Sequence, residues 1–339
     1  MKTKKLVTIL LVLGSFMAVA GTSSANVISF GDNVNFDHDK VLTLSFYDCH
    51  PSLDYTFLSD TVSLSQFYPG LGILNSVELK VESDIDVETY YYYFNLFASV
   101  SQWWYSNVIG SVNGLEATIE QSHNHHTTGQ GYYNYVLTID GTEPNSTSSG
   151  LAAFIGTGLV DVAITGDNRL CCWWNYYTHI DTDTYGTVAA TLAYNYTPVK
   201  VDIKPGSCPN PFNYKSKGSV PVAIVGTGEL DVNTIDPNSL MLNGVPMVEG
   251  NILYADVTQP HDGSGDPEEC EVCFEEPDEY DGDGFDDLVV KFDTQELADA
   301  IGEANKGDCI ELTLTGETMD GIPFAGSDSM LILKKINGD

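Results

Sequence analysis

Positively charged residues are scarce in this chain. Its 339 residues include only 14 lysines and arginines against 48 aspartates and glutamates, which gives a formal net charge of −34 at pH 7. Such a chain repels nucleic acid and anionic membrane surfaces, and it attracts cations. Nucleic-acid binding is therefore excluded as a function. The acidity itself fits either specific metal binding or a saline habitat.

Long apolar runs are absent after the first twenty residues. The N-terminus has three lysines among its first five residues, an apolar stretch over Leu6–Ala20, and small residues that suit cleavage after Ala20 or Ala25. This layout is typical of a secretory signal peptide, and the stretch is short for a membrane span, although a retained signal anchor is the alternative. We predict a signal peptide over residues 1–25, a secreted protein that is extracellular or at the cell surface, and no transmembrane segment in the mature chain.

Recognisable catalytic motifs are also absent. The sequence contains no nucleophile elbow, zinc-protease helix motif, phosphate-binding loop or dinucleotide fingerprint. Acidic pairs such as Asp181 and Asp183 could be imagined as glycosidase carboxylates. Nothing in the sequence places two carboxyl groups across a cleft, however, and 48 acidic residues make chance pairs certain. We predict that the protein is not an enzyme.

The regular pattern in the sequence is one of short β-prone runs separated by turn residues. Examples of such runs are Val41–Phe46, Ser76–Val81, Tyr135–Ile139 and Leu159–Ile164. Period-two alternation, many β-branched and aromatic residues, and the lack of a long helical pattern favour antiparallel sandwiches.

The sequence pattern changes after Pro198, and this change divides the chain into two parts. We predict an all-β protein of two antiparallel β-sandwich domains, an N-terminal one over residues 26–198 and a C-terminal one over residues 199–339. In the second domain Asp293–Glu296 resembles a capping box, which predicts one short helix continuing until Lys306–Gly307.

The strongest chemical signal lies in an acidic stretch of the second domain. Asp262–Asp287 holds 13 acidic residues in 26 positions. Within it, the spacing fits the first nine positions of an EF-hand-like loop, with acidic side chains at one, three and five, glycine at six and a backbone carbonyl at seven. The Ca²⁺ ligands that this alignment predicts are Glu279, Asp281, Asp283, the carbonyl of Phe285, and Asp287.

The loop departs from a helical EF-hand at position twelve. Val290 stands where such a loop has its bidentate glutamate, and the chain there reads as a strand. The remaining ligands would therefore come from elsewhere in the chain, from water or from Asp278. We expect calcium to stabilise this domain; the alternative is a solvated acidic turn.

Several segments of the second domain resemble, in order, a domain that recurs in secreted archaeal and bacterial proteins. They are Val201–Ser207 with Pro209–Pro211, Lys215–Ile224, Leu230–Pro237, the Asp281–Asp287 loop, Leu312–Gly316 and Asp320–Asp328. The resemblance implies an accessory, calcium-binding β-domain with no assigned activity. Two features depart from the family: Glu279 replaces the usual aspartate at loop position one, and the acidic insertion around Cys270–Cys273 is not typical.

The first domain resembles surface domains of the choice-of-anchor or exosortase-substrate type. The residues that carry this likeness are Phe67–Val77, Phe154–Gly158, Gly186–Val188 and Tyr194–Pro198. Members usually end in a sorting segment. Lys334–Asp339 does not resemble one, so anchoring is not carried over.

Cysteine pairing is expected in an exported chain with seven cysteines. The spacing of Cys270 and Cys273 suits a disulfide, a metal site or redox chemistry. A zinc site needs about four ligands, and no second such pair completes it. No thioredoxin-like pattern surrounds the motif either. A structural disulfide is the favoured interpretation, so Cys270 and Cys273 are candidate disulfide cysteines, and the connectivity stays open.

Aromatic pairs and a histidine cluster are further candidate sites. Adjacent aromatic residues on a sheet place one ring in the core and the next outside, where it can stack on a sugar or on another protein; core filling is the alternative. The candidates are Trp103, Trp104, Trp173 and Trp174. The histidines of the polar stretch, His123, His125 and His126, suit either a transition-metal site or a solvated loop.

These observations together predict a non-catalytic extracellular protein of a cell surface, matrix or filament, with a calcium-stabilised C-terminal domain. Its expected partners are surface or matrix components, further copies of the chain, or glycans. The alternative function is a carbohydrate-binding module that uses the exposed aromatic residues of the first domain.

Overall fold

The computed structural model describes most of the chain after the predicted signal peptide, which itself lies outside the described residues. The described ranges are 26–44, 52–93, 99–128, 131–173, 178–207, 209–258, 270 and 283–336. The chain divides into two compact units. The first contains Val27–Gln66 and Ser76–Tyr194, and the second contains Phe67–Asn75 and the described residues from Asn195 onward. The predicted domain bounds, 26–198 and 199–339, remain predictions.

The first unit is an antiparallel β-sandwich. Its two sheets have four strands each, in the orders β1-β8-β3-β6 and β2-β7-β4-β5. The strands are β1 (Asn26–Leu44), β2 (Ser52–Ser65), β3 (Ile73–Tyr93), β4 (Ser99–Val112), β5 (Leu115–Thr128), β6 (Gly131–Thr147), β7 (Leu159–Trp173) and β8 (Thr178–Thr197). Short 3₁₀ turns occur at Pro69–Leu71 and Leu151–Phe154.

Alternation of polarity builds these sheets, as the sequence predicts. On β3, Val77, Leu79 and Val81 are fully buried, and Glu78 between them is exposed. Between β4 and β5, Asn113 and Gly114 have φ of 49° and 83°. Positive φ at both central residues is what a type I′ hairpin turn requires, so this dipeptide sets the register of the hairpin.

A buried polar network links the two sheets of the first unit. The Ser106 hydroxyl on β4 donates to Asn168 Oδ1 on β7. The Asn168 side chain in turn donates to Thr184 Oγ1 on β8, at 3.4 Å. Because buried polar groups are costly when unpaired, this network favours one alignment of the sheets over others.

The second unit is also all-β and contains the α-helix of the described residues. Its strand order is β10-β16-β15-β12-β13-β14-β11-β9, antiparallel except for the short parallel pair β10 and β16. The elements are β9 (Val201–Ile203), β10 (Pro211–Phe212), β11 (Ser219–Ile224), β12 (Met241–Leu242), β13 (Val245–Ala255), β14 (Asp287–Asp293), α1 (Thr294–Ile301), β15 (Cys309–Glu317) and β16 (Pro323–Ile332), with 3₁₀ turns at Val232–Thr234 and Pro237–Ser239.

Strand β13 joins the two halves of this order. Its start pairs with β12, whereas Ile252–Ala255 pairs with β14 after a register shift. Gly250, within the shift, has φ of 76°. A strand that bends in this way can pass from one layer of a sandwich to the other. Side chains of both halves, such as Val290 and Leu314, meet in one core.

Helix α1 begins where the sequence predicts and ends earlier. Asp293 caps it by accepting hydrogen bonds from the N–H groups of Gln295 and Glu296, at 2.8 and 3.1 Å. The helix stops at Ile301 because Gly302 takes φ of 75° and cannot continue the turn. The predicted fold class, all-β with a single short helix, is confirmed for the described residues. No helix in the described ranges is long and apolar enough to cross a membrane.

Residues 67–75 pack with the second unit, although the chain on both sides of them belongs to the first. Ile73 lies in the core of the second unit. The Phe67 and Tyr196 rings are 5.4 Å apart, and the Asn75 side chain donates to Thr197 Oγ1 at 2.9 Å. A Cβ on Gly72 would lie 2.1 Å from the Thr197 carbonyl oxygen, so only glycine permits this approach.

Candidate functional site

The described half of the predicted calcium loop forms a tight turn that leads into β14. Gly284 has φ of 90°, and the Asp283 carboxylate accepts a hydrogen bond from the Phe285 N–H at 3.0 Å. The glycine at loop position six therefore makes the turn for which its conformational freedom is needed. The predicted ligands Glu279 and Asp281 lie outside the described residues.

Asp287, the last predicted ligand, is completely buried and bonded to the backbone. Its Oδ1 accepts from the Gly226 N–H at 2.9 Å. Its Oδ2 accepts from the N–H groups of Val257 and Thr258, at 2.8 and 2.9 Å. Burial raises the pKa of this carboxyl group, and the three backbone donors act against that rise. Asp287 thus ties the end of β11 and the end of β13 to the start of β14.

Asp256, directly after β13, contacts the loop from outside its sequence. Its carboxylate oxygens accept from the N–H groups of Asp283 at 3.3 Å and Gly284 at 2.9 Å. Sequence reasoning missed this residue because it lies outside the nine-residue motif. The signal that could have found it is strand pairing, since β13 pairs with β14 and Ala255 lies opposite Asp287.

A second buried carboxyl group lies near Asp287. Asp202 on β9 is 2% exposed. Burial raises the pKa of Asp202 to about 7, a hydrogen bond from the Thr258 side chain lowers it, and the negative charges of Asp328 and Asp287 raise it. Asp328 is itself held by the Ile203 N–H at 2.7 Å. Some of the acidic side chains of this chain therefore lie inside the fold rather than on its surface.

The fit of these residues to a calcium ion is partial. Among the described residues, no group of three or more histidine, cysteine, aspartate or glutamate side chains is placed to hold a metal. The turn places the Asp283 carboxylate near the Phe285 backbone, whereas the Asp287 carboxylate already accepts three hydrogen bonds. An ion here would be held by Asp283 and the Phe285 carbonyl together with Glu279 and Asp281.

A disulfide of the second unit contains one of the two candidate cysteines. Cys270 pairs with Cys309, 39 residues later, with a Cα–Cα distance of 5.6 Å. The candidate cysteine Cys270 is therefore in a disulfide, and its partner is Cys309 rather than Cys273. Sequence spacing does not determine disulfide connectivity, because the fold decides which Cα atoms come within bonding range. Here the start of β15 brings Cys309 to Cys270. Cys273 lies outside the described residues.

The aromatic pair on β4 is split between core and surface, as predicted. Trp104 is 1% exposed and Trp103 is 39% exposed. The Trp103 ring stacks against Tyr105, with centroids 6.2 Å apart and planes at 24°. Trp104 thus belongs to the core and Trp103 to the outer face. The side chain of Trp173 and all of Trp174 lie outside the described part.

Polar residues surround Trp103 and Tyr105 on the neighbouring strands. The register places Tyr105 between Ser122 on β5 and Arg169 on β7. A hydrogen bond to Glu120 raises the pKa of Tyr105. The outer face of β4 therefore combines exposed aromatic surface with donors and acceptors.

The histidine cluster lies in strand β5, not in the solvated loop that its polar neighbours suggested. His123 pairs with the buried Trp104, and His126 pairs with Ser101. Because side chains alternate along a strand, these two histidines lie on opposite faces of the sheet. The side chain of His125 is outside the described part. The two described imidazoles, of His123 and His126, are thus not brought together on one face.

Comparisons with known proteins place the chain in no family. No family model matches it, and no curated protein matches it. Solved structures with some likeness include infectious bursal disease virus, Gx strain (10% identity, 54% of this chain, 43% of that chain, TM-score 0.17). A second is a 1.5-MDa bacterial ice-binding adhesin (12% identity, 71% of this chain, 55% of that chain, TM-score 0.18). A third is the N-terminal domain of the Streptococcus gordonii adhesin Sgo0707 (10% identity, 80% of this chain, 61% of that chain, TM-score 0.19). The chain spans 43% to 61% of these structures, and likeness this weak carries no functional argument.

Proposed function

We propose that this chain is an extracellular, non-catalytic protein of a cell surface, matrix or filament, and that calcium stabilises its C-terminal domain. The observation that supports the calcium proposal most directly is the Asp283–Phe285 turn. It has the glycine conformation that an EF-hand-like loop needs at position six, with a carboxylate at position five. The signal-peptide pattern supports export, and the acidic composition suits a cation-binding protein.

Calcium would act on this domain by linkage. Carboxylates crowded into one loop repel each other, and a bound cation replaces that repulsion with attraction. Since the unfolded chain has no assembled loop, binding to the folded state adds to the free energy of unfolding. At a calcium concentration about 100 times Kd, the added stability is about 2.7 kcal/mol.

In the full-length chain, calcium should therefore raise the Tm of the second unit above its value in EDTA. We expect a rise of roughly 5 to 10 °C in the transition of the second unit, measured by differential scanning calorimetry without reductant. Asp283→Asn should reduce the rise, and magnesium at the same concentration should produce a smaller one. A melt identical in EDTA and calcium would contradict the proposal.

A carbohydrate-binding function is the second candidate, and the Trp103–Tyr105 pair favours it. An exposed indole beside a phenol offers apolar surface for a sugar ring. Glu120 and Arg169 lie on the strands that flank it and could bond to hydroxyl groups.

If the outer face of β4 binds sugar, Trp103→Ala should weaken glycan binding by roughly tenfold, the equivalent of about 1.4 kcal/mol. A glycan array followed by calorimetry on the best ligand would measure the change. Tyr68→Ala is the matched control, because Tyr68 is 56% exposed and lies in the second unit. Equal binding by both variants would reject the site. Calcium-dependent assembly without glycan binding would favour the leading function.

A further inference from the structure

We infer that the aromatic shelf of β4, formed by Trp103 and Tyr105, selects sugars that carry a protonated amino group. The inference rests on the second candidate function, carbohydrate binding, and names the class of its ligand. Trp103 is 39% exposed, and its ring is stacked with that of Tyr105 at a centroid distance of 6.2 Å. The faces of such rings attract the C–H groups of a sugar and also an ammonium group.

Glu120 adds a carboxylate at the Tyr105 end of the shelf. The Tyr105 hydroxyl donates a hydrogen bond to the Glu120 side chain. Glu120 lies on β5 and is exposed. Because a carboxylate accepts about four hydrogen bonds in all, the bond from Tyr105 leaves it able to accept more. A carboxylate beside aromatic faces suits an ammonium group, since both attract a positive charge at short range.

The charges around the shelf favour a cationic ligand over an anionic one. Two acidic residues lie on each of β2, β5 and β7, and Arg169 is the one lysine or arginine of the four strands in this sheet. Arg169 lies opposite Tyr105 in the register, whereas Asp167 and Glu120 lie opposite Asn107. The sheet therefore carries more negative than positive charge, as the whole chain does. A carboxylated or sulfated sugar would be repelled here, whereas an amino sugar gains an attraction that a neutral sugar lacks.

The test uses three soluble probes: a glucosamine oligomer, its N-acetylated counterpart of the same length, and a lysine oligomer with the same number of amines. Binding to the full chain is measured by isothermal titration calorimetry at about pH 6, where the probe amines are protonated and ordinary carboxylates are ionised. Salt at about 0.15 M screens the diffuse charge of the chain.

Two variants change the site and a third is the matched control. Trp103→Ala removes the exposed ring, and Glu120→Gln removes the charge while keeping the size of the side chain. Glu116→Gln removes an equivalent charge, because Glu116 is exposed and lies on the same face of β5 by the period of two. Circular dichroism shows whether each variant is folded.

We expect the wild-type chain to bind the glucosamine oligomer about tenfold more tightly than the N-acetylated one. Trp103→Ala should weaken binding of both sugars by about tenfold, because it removes the stacking surface. Glu120→Gln should weaken binding of the glucosamine oligomer by about fivefold and leave that of the N-acetylated oligomer nearly unchanged. Glu116→Gln should change either Kd by less than about twofold, as for one screened surface charge. The lysine oligomer should bind more weakly and should not respond to Trp103→Ala.

The outcomes separate this inference from the candidate function on which it rests. Equal or tighter binding of the N-acetylated oligomer would overturn the preference for an amine and leave carbohydrate binding standing. Equal weakening by Glu120→Gln and Glu116→Gln, with no effect of Trp103→Ala, would mean diffuse attraction to an acidic chain and would overturn the inference. A lysine oligomer that binds as tightly and depends on Trp103 in the same way would overturn the assignment to a sugar. If neither sugar binds, carbohydrate binding fails first and the inference fails with it.

Discussion

Asp287→Ala should lower the free energy of unfolding by about 4 kcal/mol, with or without calcium. The substitution leaves three backbone N–H groups without their acceptor, on the buried Gly226 and Thr258 and on the half-buried Val257. A buried donor that loses its partner costs about 1 to 3 kcal/mol, and partial relaxation keeps the total below the sum. The loss should appear in EDTA, because the hydrogen bonds do not depend on an ion.

Calorimetry is the suitable measurement for this variant. The tryptophans of the chain, residues 103, 104, 173 and 174, all belong to the first unit. Their fluorescence would therefore not report on the unit that carries Asp287. Asp286→Ala is the control and should change stability by no more than about 0.5 kcal/mol, as exposed substitutions do. If Asp287→Ala is neutral in EDTA and destabilising only in calcium, Asp287 serves the ion and not the fold.

Asp202→Asn should stabilise the protein by about 3 to 4 kcal/mol near pH 8 and by almost nothing near pH 4. The pKa of Asp202 is about 7 in the folded chain, against an ordinary value of 3.8. Between these values the folded state keeps a proton that the unfolded state has lost. Wild-type stability therefore falls as the pH rises through this window, and above it the full cost of the buried charge remains.

The comparison should be made in EDTA, so that bound cations do not offset the buried charge. Urea unfolding of both proteins at several pH values gives the difference in free energy directly. Asp236→Asn is a suitable control, since Asp236 caps a 3₁₀ turn and accepts a hydrogen bond from the Asn238 N–H. A gap between wild type and Asp202→Asn that does not change with pH would refute the elevated pKa.

Local patterns in the sequence predicted much of the fold. The alternation at Val77–Val81 and the cap at Asp293 are properties of neighbouring residues, and both lead to the expected elements. The split of Trp103 from Trp104 follows from the same period of two. The turn at Gly284 could also be predicted, because residues other than glycine rarely adopt a positive φ.

The features that the sequence did not predict involve residues that come into contact only after folding. The Cys270–Cys309 bridge and the contact of Asp256 with the loop join positions 39 and about 28 residues apart. The burial of Asp202 depends on Thr258 and Asp328, which come from other parts of the second unit. Strand β5 continues through a polar histidine stretch because its backbone pairs with β4 all the way to Thr128, whatever the side chains prefer.

The segment from Phe67 to Asn75 prevents the two units from being separated by one cut in the gene. The chain leaves the first unit to contribute Ile73 to the core of the second, returns, and leaves again at Asn195. A gene fragment that starts at residue 199 would encode the second unit without that piece, and its core would lack a side chain. A single recombination breakpoint between the units therefore cannot exchange either unit intact. We expect the two units to be inherited together.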